Sequence, residues 1–272
     1  MPIFILTLSQ ANQINFQFSI ASFIIIHFLV YPASNGYNSY IDKDETSIGG
    51  IEKPPLPTTQ LFYFTLCMDA LAILCSFIFI NVFFAVCILV YILASRAYSS
   101  KQIRLKKYPI IGFLTVVIFQ GGFTFYMAWF GITGLAFDLT IEHLYILLAC
   151  SFQIAGAYPL TQVYQHEADL KDGVITLSYK LGYRGTFVFT MFMFVLCNIF
   201  YFLYFQEIGK LNQFYIIQLC FLPIIGYFMF WFIKVIKDTA AASFHNTMRM
   251  NTTAAVCMNV CFLVLFILNH LL

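Results

Sequence analysis

Only 12 of the 272 residues are Asp or Glu, and seven of them fall in two short stretches. Asp42, Asp44, Glu45 and Glu52 follow the apolar run "FQFSIASFIIIHFLVYPAS", and Glu167, Asp169 and Asp172 lie in "YQHEADLKDG". On a continuing helix Asp42 and Glu45 are i,i+3 neighbours on one face, and Asp169 and Asp172 repeat that spacing. Hard carboxylate oxygens at helix ends suit Mg2+, which takes one or two carboxylates and completes its octahedron with waters and substrate phosphates. Asn38 stands one turn before Asp42 and adds an amide; Asn35 precedes it. Lys53, Arg104, Lys106 and Lys107 supply cations suited to a polyanionic ligand. Acids beside lysines in loops are also commonly just solvated, and the charge pattern alone leaves both readings open.

The elements that carry these clusters belong to a membrane. The chain is 61% hydrophobic and 10% charged, where soluble domains carry about a quarter charged residues. Its mean hydropathy of +0.84 excludes a soluble globular class. Apolar windows long enough to cross the hydrocarbon core fall near 14–33, 60–79, 82–97, 109–131, 144–164, 186–206, 213–234 and 251–271. The opening "PIFILTL" is too short to span and lacks the basic flank of a secretory signal, so it reads as the tail of a ninth, truncated helix. Alternating the spans gathers 13 of the 14 Lys and Arg residues on one side, Lys210 being the exception. By the positive-inside rule that side is cytoplasmic, which puts both acidic clusters there, on helices four spans apart and therefore parallel. The eight cysteines lie in apolar runs without a CxxC pair, so neither a disulfide nor a zinc site is expected. The expected architecture is an all-α polytopic membrane protein, one domain over 1–272, in the cell membrane, with the lipid bilayer and no nucleic acid as partner.

Three stretches, in order, carry a family resemblance. "NSYIDKDETSIGGIEKPP" (38–55) resembles the first motif of the UbiA superfamily of membrane prenyltransferases, Asn-x-x-x-Asp with further acids and a basic-Pro stretch. "AYSSKQIRLKKYP" (97–109) is similar to its "YS…RLK" loop, and "YQHEADLKDGVITLSYKLG" (164–182) resembles its second acidic motif. "YPASNGYNSY", "YQHEAD" and "NTMRMN" look closest to a bacterial branch found in Bacteroidetes-like genomes. The resemblance runs from about residue 3 to the end. It implies a ring of transmembrane helices around a central cavity, with the acidic motifs on helices two and six.

The activity it implies is Mg2+-dependent transfer of an isoprenyl group from its diphosphate to a lipophilic, often aromatic, acceptor. Asp42 and Asp169 would be catalytic. Asp42, Asp44, Glu45, Glu167, Asp169 and Asp172 would be metal ligands. Asn38, Lys53, Arg104 and Lys106 would hold diphosphate, with Asn35, Gln165 and His166 as further contacts. The family often has aspartates four apart. Here Thr46 stands four after Asp42 and Gln165 four before Asp169, so neighbouring carboxylates would fill those places.

Other polar residues have plainer readings. Asp69, mid-span, faces either a cavity or a hydrogen-bonding partner on a neighbouring helix. His27 reads as a packed, satisfied histidine, and Asn251 as the N-cap of the last span. Two other functions fit the composition, a cation-coupled transporter and a family member that has lost catalysis and serves as a binding subunit. Transporters place coupling sites near the midplane, whereas the acids here cluster at one end.

Overall fold

The computed structural model of the chain describes residues 1–43 and 47–272. Among these residues nine main helices account for the architecture: α1 (Pro2–Gln10), α2 (Phe16–Asp42), α3 (Thr59–Phe79), α4 (Val82–Ser99), α5 (Pro109–Thr133), α6 (Ile141–Lys171), α7 (Leu177–Glu207), α8 (Leu211–Lys237) and α9 (Phe244–His270). All but α1 are long and apolar enough to cross a membrane. Large side chains such as Phe16, Phe64, Phe83, Phe192 and Leu219 point outward, as suits helices whose outer surface meets lipid.

The helices follow one another around a ring, and α1 closes it by packing against α9 and the second half of α5. Ile3, Ile5 and Leu6 are buried in that seam. At its far end the Asn269 amide donates to the Ser9 carbonyl (2.8 Å), Gln213 donates to Asn269 (2.6 Å), and the Tyr204 hydroxyl donates to Gln10 (3.2 Å). A polar knot of this kind ties helices together where lipid offers no hydrophobic drive for association.

Several helices are longer than hydropathy indicates. α2 continues to Asp42 rather than ending near 33, so Asn35, Asn38 and Asp42 sit on the helix itself. The stretch 165–185, which falls between the apolar windows, is instead the end of α6, a short turn, and the start of α7 from Leu177. A hydropathy window stops where polar residues begin, whereas a helix facing a polar cavity carries its hydrogen bonds onward. The last helix starts at Phe244, capped by the Ser243 hydroxyl, so Asn251 is interior and not the N-cap.

The two helices that carry the acids are both irregular. In α2 a π-turn at Ile25–Val30 precedes Pro32, whose ring cannot accept regular α geometry behind it. In α6 a 3₁₀ turn at Val163–Gln165 follows Pro159 and re-aims the residues beyond it. α5 has its own π-turn at Ile118–Gly122, pressed against α6. A Cβ on Gly121 would lie 2.6 Å from the Ser151 Cα, so only glycine permits this approach. The Gly122 amide donates to the Ser151 hydroxyl at 3.1 Å.

Asp69 takes the second of its two readings. The Arg96 Nε donates to its carboxylate at 2.9 Å, and an Arg96 terminal nitrogen makes the ion pair with the same oxygen. The guanidinium also lies 3.9 Å from the centre of the Tyr37 ring, so one cation joins α2, α3 and α4. His27 is held by the Phe23 carbonyl (3.0 Å) and stacks on the Phe23 ring, in keeping with a packed histidine. Removing one partner of a largely buried ion pair costs about 3–5 kcal/mol, because the other charge is stranded. Asp69→Ala should therefore lower the thermal unfolding midpoint in detergent substantially, and adding Arg96→Leu should recover most of the loss. Circular dichroism melts of the two variants check this.

Candidate functional site

A cavity of about 900 Å³ opens where α2, α4, α5 and α6 converge on the basic face of the ring. Asp42 and Asp169, separated by 127 residues, both line it, together with Asn35, Asn38, Lys106 and Gln165. The stretch Ile48–Thr58 forms part of the wall through Ile48, Gly49, Ile51 and Pro54–Thr58. The Gln165 amide donates to the Ser47 carbonyl (3.3 Å), linking that stretch to α6.

Several polar wall residues have an identifiable support. The Ser99 hydroxyl donates to the Asn38 carboxamide oxygen at 2.7 Å, which fixes the amide one turn before Asp42. Ser34 and Ser95 make a second hydroxyl pair between the same two helices. Asp42 has a side chain only 5% exposed; Lys106 pairs with its Oδ2, and its Oδ1 is buried without a hydrogen-bond partner among the described residues. A buried carboxylate oxygen left without a partner is costly and marks a place where a cation or donor is accepted.

Lys106 comes from a tight connection. Arg104 adopts a left-handed conformation (φ 49°), and Leu105–Lys107 make a 3₁₀ turn. That turn rests on Gly112 of α5, where a Cβ would come within 2.9 Å of the Lys106 Cα. Arg104 reaches Asp172 at 3.7 Å, so a cation of the connection pairs with each acidic stretch.

The remaining residues singled out in the sequence are placed differently. Asp172 points to Arg104 and is 43% exposed, so it does not share the cavity wall with Asp169 despite the i,i+3 spacing. Glu167 lines a separate cavity of about 340 Å³ bounded by Tyr183 and residues 239–244. His166 is buried behind the motif: its Nε2 is 2.8 Å from the Ser178 hydroxyl and its ring stacks on Tyr183, away from the main cavity. Lys53 is exposed and outside the wall. Asp44, Glu45 and Thr46 lie outside the described residues. Sequence reasoning missed Tyr98 and Tyr158, whose hydroxyls bond each other inside the cavity, and Gln162, whose amide donates to Tyr158 at 2.9 Å. Their pattern, polar residues two to three turns before a motif aspartate on an otherwise apolar helix, was the available signal for α6.

The sequence profile of the UbiA prenyltransferase family matches residues 1–253. The chain belongs to that family. An apo structure of a UbiA homologue from Aeropyrum pernix K1 superposes with a TM-score of 0.70 at 15% identity, covering 97% of this chain and 97% of that one. A UbiA homologue from Archaeoglobus fulgidus bound to DMAPP and Mg2+ gives 0.65 at 15% identity, over 97% and 95% of the two chains. A structure described as giving insight into digeranylgeranylglyceryl phosphate synthase in membranes gives 0.61 at 21% identity, over 98% and 91%. At these identities the likeness establishes the fold. No curated protein matches the sequence. The chain is thus a multi-pass membrane protein with the UbiA fold.

Gly112→Val should push the Leu105–Lys107 turn off α5 and separate Lys106 from Asp42 without altering a cavity residue. Limited trypsin digestion after Lys106 and Lys107 should then be several-fold faster than in the parent chain. An unchanged digestion rate would show that the turn does not depend on this contact.

Proposed function

We propose that the chain is an integral membrane prenyltransferase that moves an isoprenyl group from its diphosphate to a lipophilic acceptor. The observation that carries this reading is the meeting of Asp42 and Asp169 in one cavity beside Lys106. The Archaeoglobus fulgidus homologue binds DMAPP with Mg2+, and another structure of it holds GPP with Mg2+, which supports a diphosphate donor here. The chain acts as one membrane domain over 1–272. We place it in the cell membrane, with the motif-bearing ends on the cytoplasmic side, because 13 of 14 cations fall at that end. Its place in a bacterial branch rests on the three short stretches quoted above.

The residues present fit Mg2+. Among the described residues no group of three or more His, Cys, Asp or Glu forms an all-protein cage. Mg2+ needs none, since it favours one or two carboxylates with phosphate and water oxygens. Asp42, through its partnerless Oδ1, and Asp169 would hold it, with the Asn38 and Gln165 amides nearby on the same wall. When bound, the metal supplies positive charge that offsets the leaving diphosphate.

The chain's own part follows from charge and polarity. Lys106 stands at Asp42 and stabilises negative charge that grows on the leaving group, whereas Arg104, paired with Asp172, lies off the cavity wall. The allylic carbon becomes electron-poor as its bond to oxygen lengthens, and the aromatic side chains of Tyr91, Tyr98, Phe119 and Tyr158 line the cavity that would hold it. An acceptor nucleophile then attacks that carbon, and the wall must keep bulk water from taking its place.

A transporter reading loses its main support, because Asp69, the mid-span acid, is neutralised by Arg96 away from the cavity. A non-catalytic binding subunit would keep the diphosphate site without turnover, so turnover decides between the two. Asp42→Asn and Asp169→Asn should each reduce transfer of label from radiolabelled geranyl diphosphate to membrane-extractable product by more than about a hundredfold, with folding intact. Wild-type binding of the diphosphate without any transfer would favour the subunit reading. Glu167→Gln, in the separate cavity, should leave the Mg2+-dependent affinity for geranyl diphosphate within about twofold of the parent, as expected for a site away from the ligand. A loss like that of Asp169→Asn would return Glu167 to the metal site.

A further inference from the structure

Beneath the acids the cavity wall changes character from charge to carboxamide. Asn35 lies seven residues before Asp42 on α2, and Gln162 seven before Asp169 on α6. Seven residues are two helical turns, about 10 Å deeper along each axis. Both line the cavity, and Gln120 of α5 lines it as well. The π-turn at Ile118–Gly122, whose glycines let α5 press on α6, is what places Gln120 in this wall.

These amides are not used to hold the fold. Asn35 and Gln120 are exposed residues within membrane-spanning helices, and their carboxamides hydrogen-bond no protein group among the described residues. Gln162 is 7% exposed; its amide nitrogen is committed to the Tyr158 hydroxyl, and its Oε1 is buried without a partner. Tyr158 is held in turn by Tyr98, so the Gln162 acceptor is presented by a fixed chain of side chains. Polar groups at this depth are costly unless the cavity supplies their partner.

We propose that Asn35, Gln120 and Gln162 form the acceptor subsite, and that the acceptor is an uncharged molecule bearing a hydroxyl group, such as a phenol. The proposal rests on the prenyl-transfer reading for its name, although not for its geometry. A hydroxyl donates to Gln162 Oε1 and accepts from the Asn35 or Gln120 amide, which satisfies both sides. A carboxylated acceptor fits poorly. Lys106 is the single cation among the described wall residues, it is paired with Asp42, and Asp169 faces the same space. A carboxylate brought there would be desolvated without a free counter-charge on the described wall, whereas the donor's diphosphate arrives with divalent cations.

The test uses the full chain in lipid nanodiscs without a donor. Radiolabelled 4-heptylphenol is bound and competed with unlabelled 4-heptylphenol, its methyl ether and 4-heptylbenzoate. The phenol should compete at least about tenfold better than either analogue, the discrimination expected of a site built to pair a hydroxyl. Gln120→Leu and Gln162→Leu should each shrink that gap to about twofold, as expected once the hydroxyl's partner is gone, while geranyl diphosphate binding with Mg2+ persists. Equal competition by the ether or the benzoate in the wild type would overturn the proposal, as would a full gap retained in both variants. A wild type that prefers the phenol but binds no geranyl diphosphate would remove the prenyl-transfer reading and leave the subsite. Diphosphate binding without a phenol preference would remove the subsite alone.

Discussion

A carboxylate buried in a bundle of apolar helices must find positive charge, and the arrangement of Asp42 shows how this ring meets that demand. Lys106 neutralises one of its oxygens and leaves the other buried without a partner among the described residues. The lysine can reach because Leu105–Lys107 is folded tightly onto Gly112, and because α2 runs on as helix to Asp42. Asp169 arrives at the same cavity from α6, re-aimed by the 3₁₀ turn that precedes it. Every later step of the proposed chemistry depends on these two acids sharing one space.

The surrounding packing serves that meeting. Serine and asparagine side chains pair α2 with α4 along the cavity wall, and Arg96 joins α2, α3 and α4 on the other side through Asp69 and the Tyr37 ring. Across the ring, small residues let α5 and α6 touch backbone to backbone. Close contact and interhelical hydrogen bonds are the two means available in lipid, where hydrophobic burial drives little association. The short α1 closes the circle with a buried apolar face and a polar knot to α7, α8 and α9.

Much of this is visible in the residues. Hydropathy locates the eight crossing helices, and the quoted motif stretches carry the family. The helix ends are not visible, because a window average falls where "YPASNGYNSYID" turns polar, although that stretch stays helical. Spacing also misleads at the second motif. Asp169 and Asp172 are i,i+3, yet the helix ends at Lys171, and Asp172 turns to Arg104. Glu167 and His166, adjacent to the same aspartate in sequence, point to other surroundings for the ordinary reason that successive helical residues are about 100° apart. Tyr158 and Gln162 meet one turn apart on α6, but that Tyr98 of α4 joins them through its hydroxyl is a contact between distant segments that no sequence spacing shows.

The most direct test of the central claim is a double-mutant cycle on Mg2+-dependent geranyl diphosphate binding, using Asp42→Asn, Asp169→Asn and the pair together. If both acids act on one ligand, each single substitution should remove most of the affinity and the double should be little worse, a strongly non-additive result. Losses that simply add would mean that the two aspartates work independently, and would contradict the shared site.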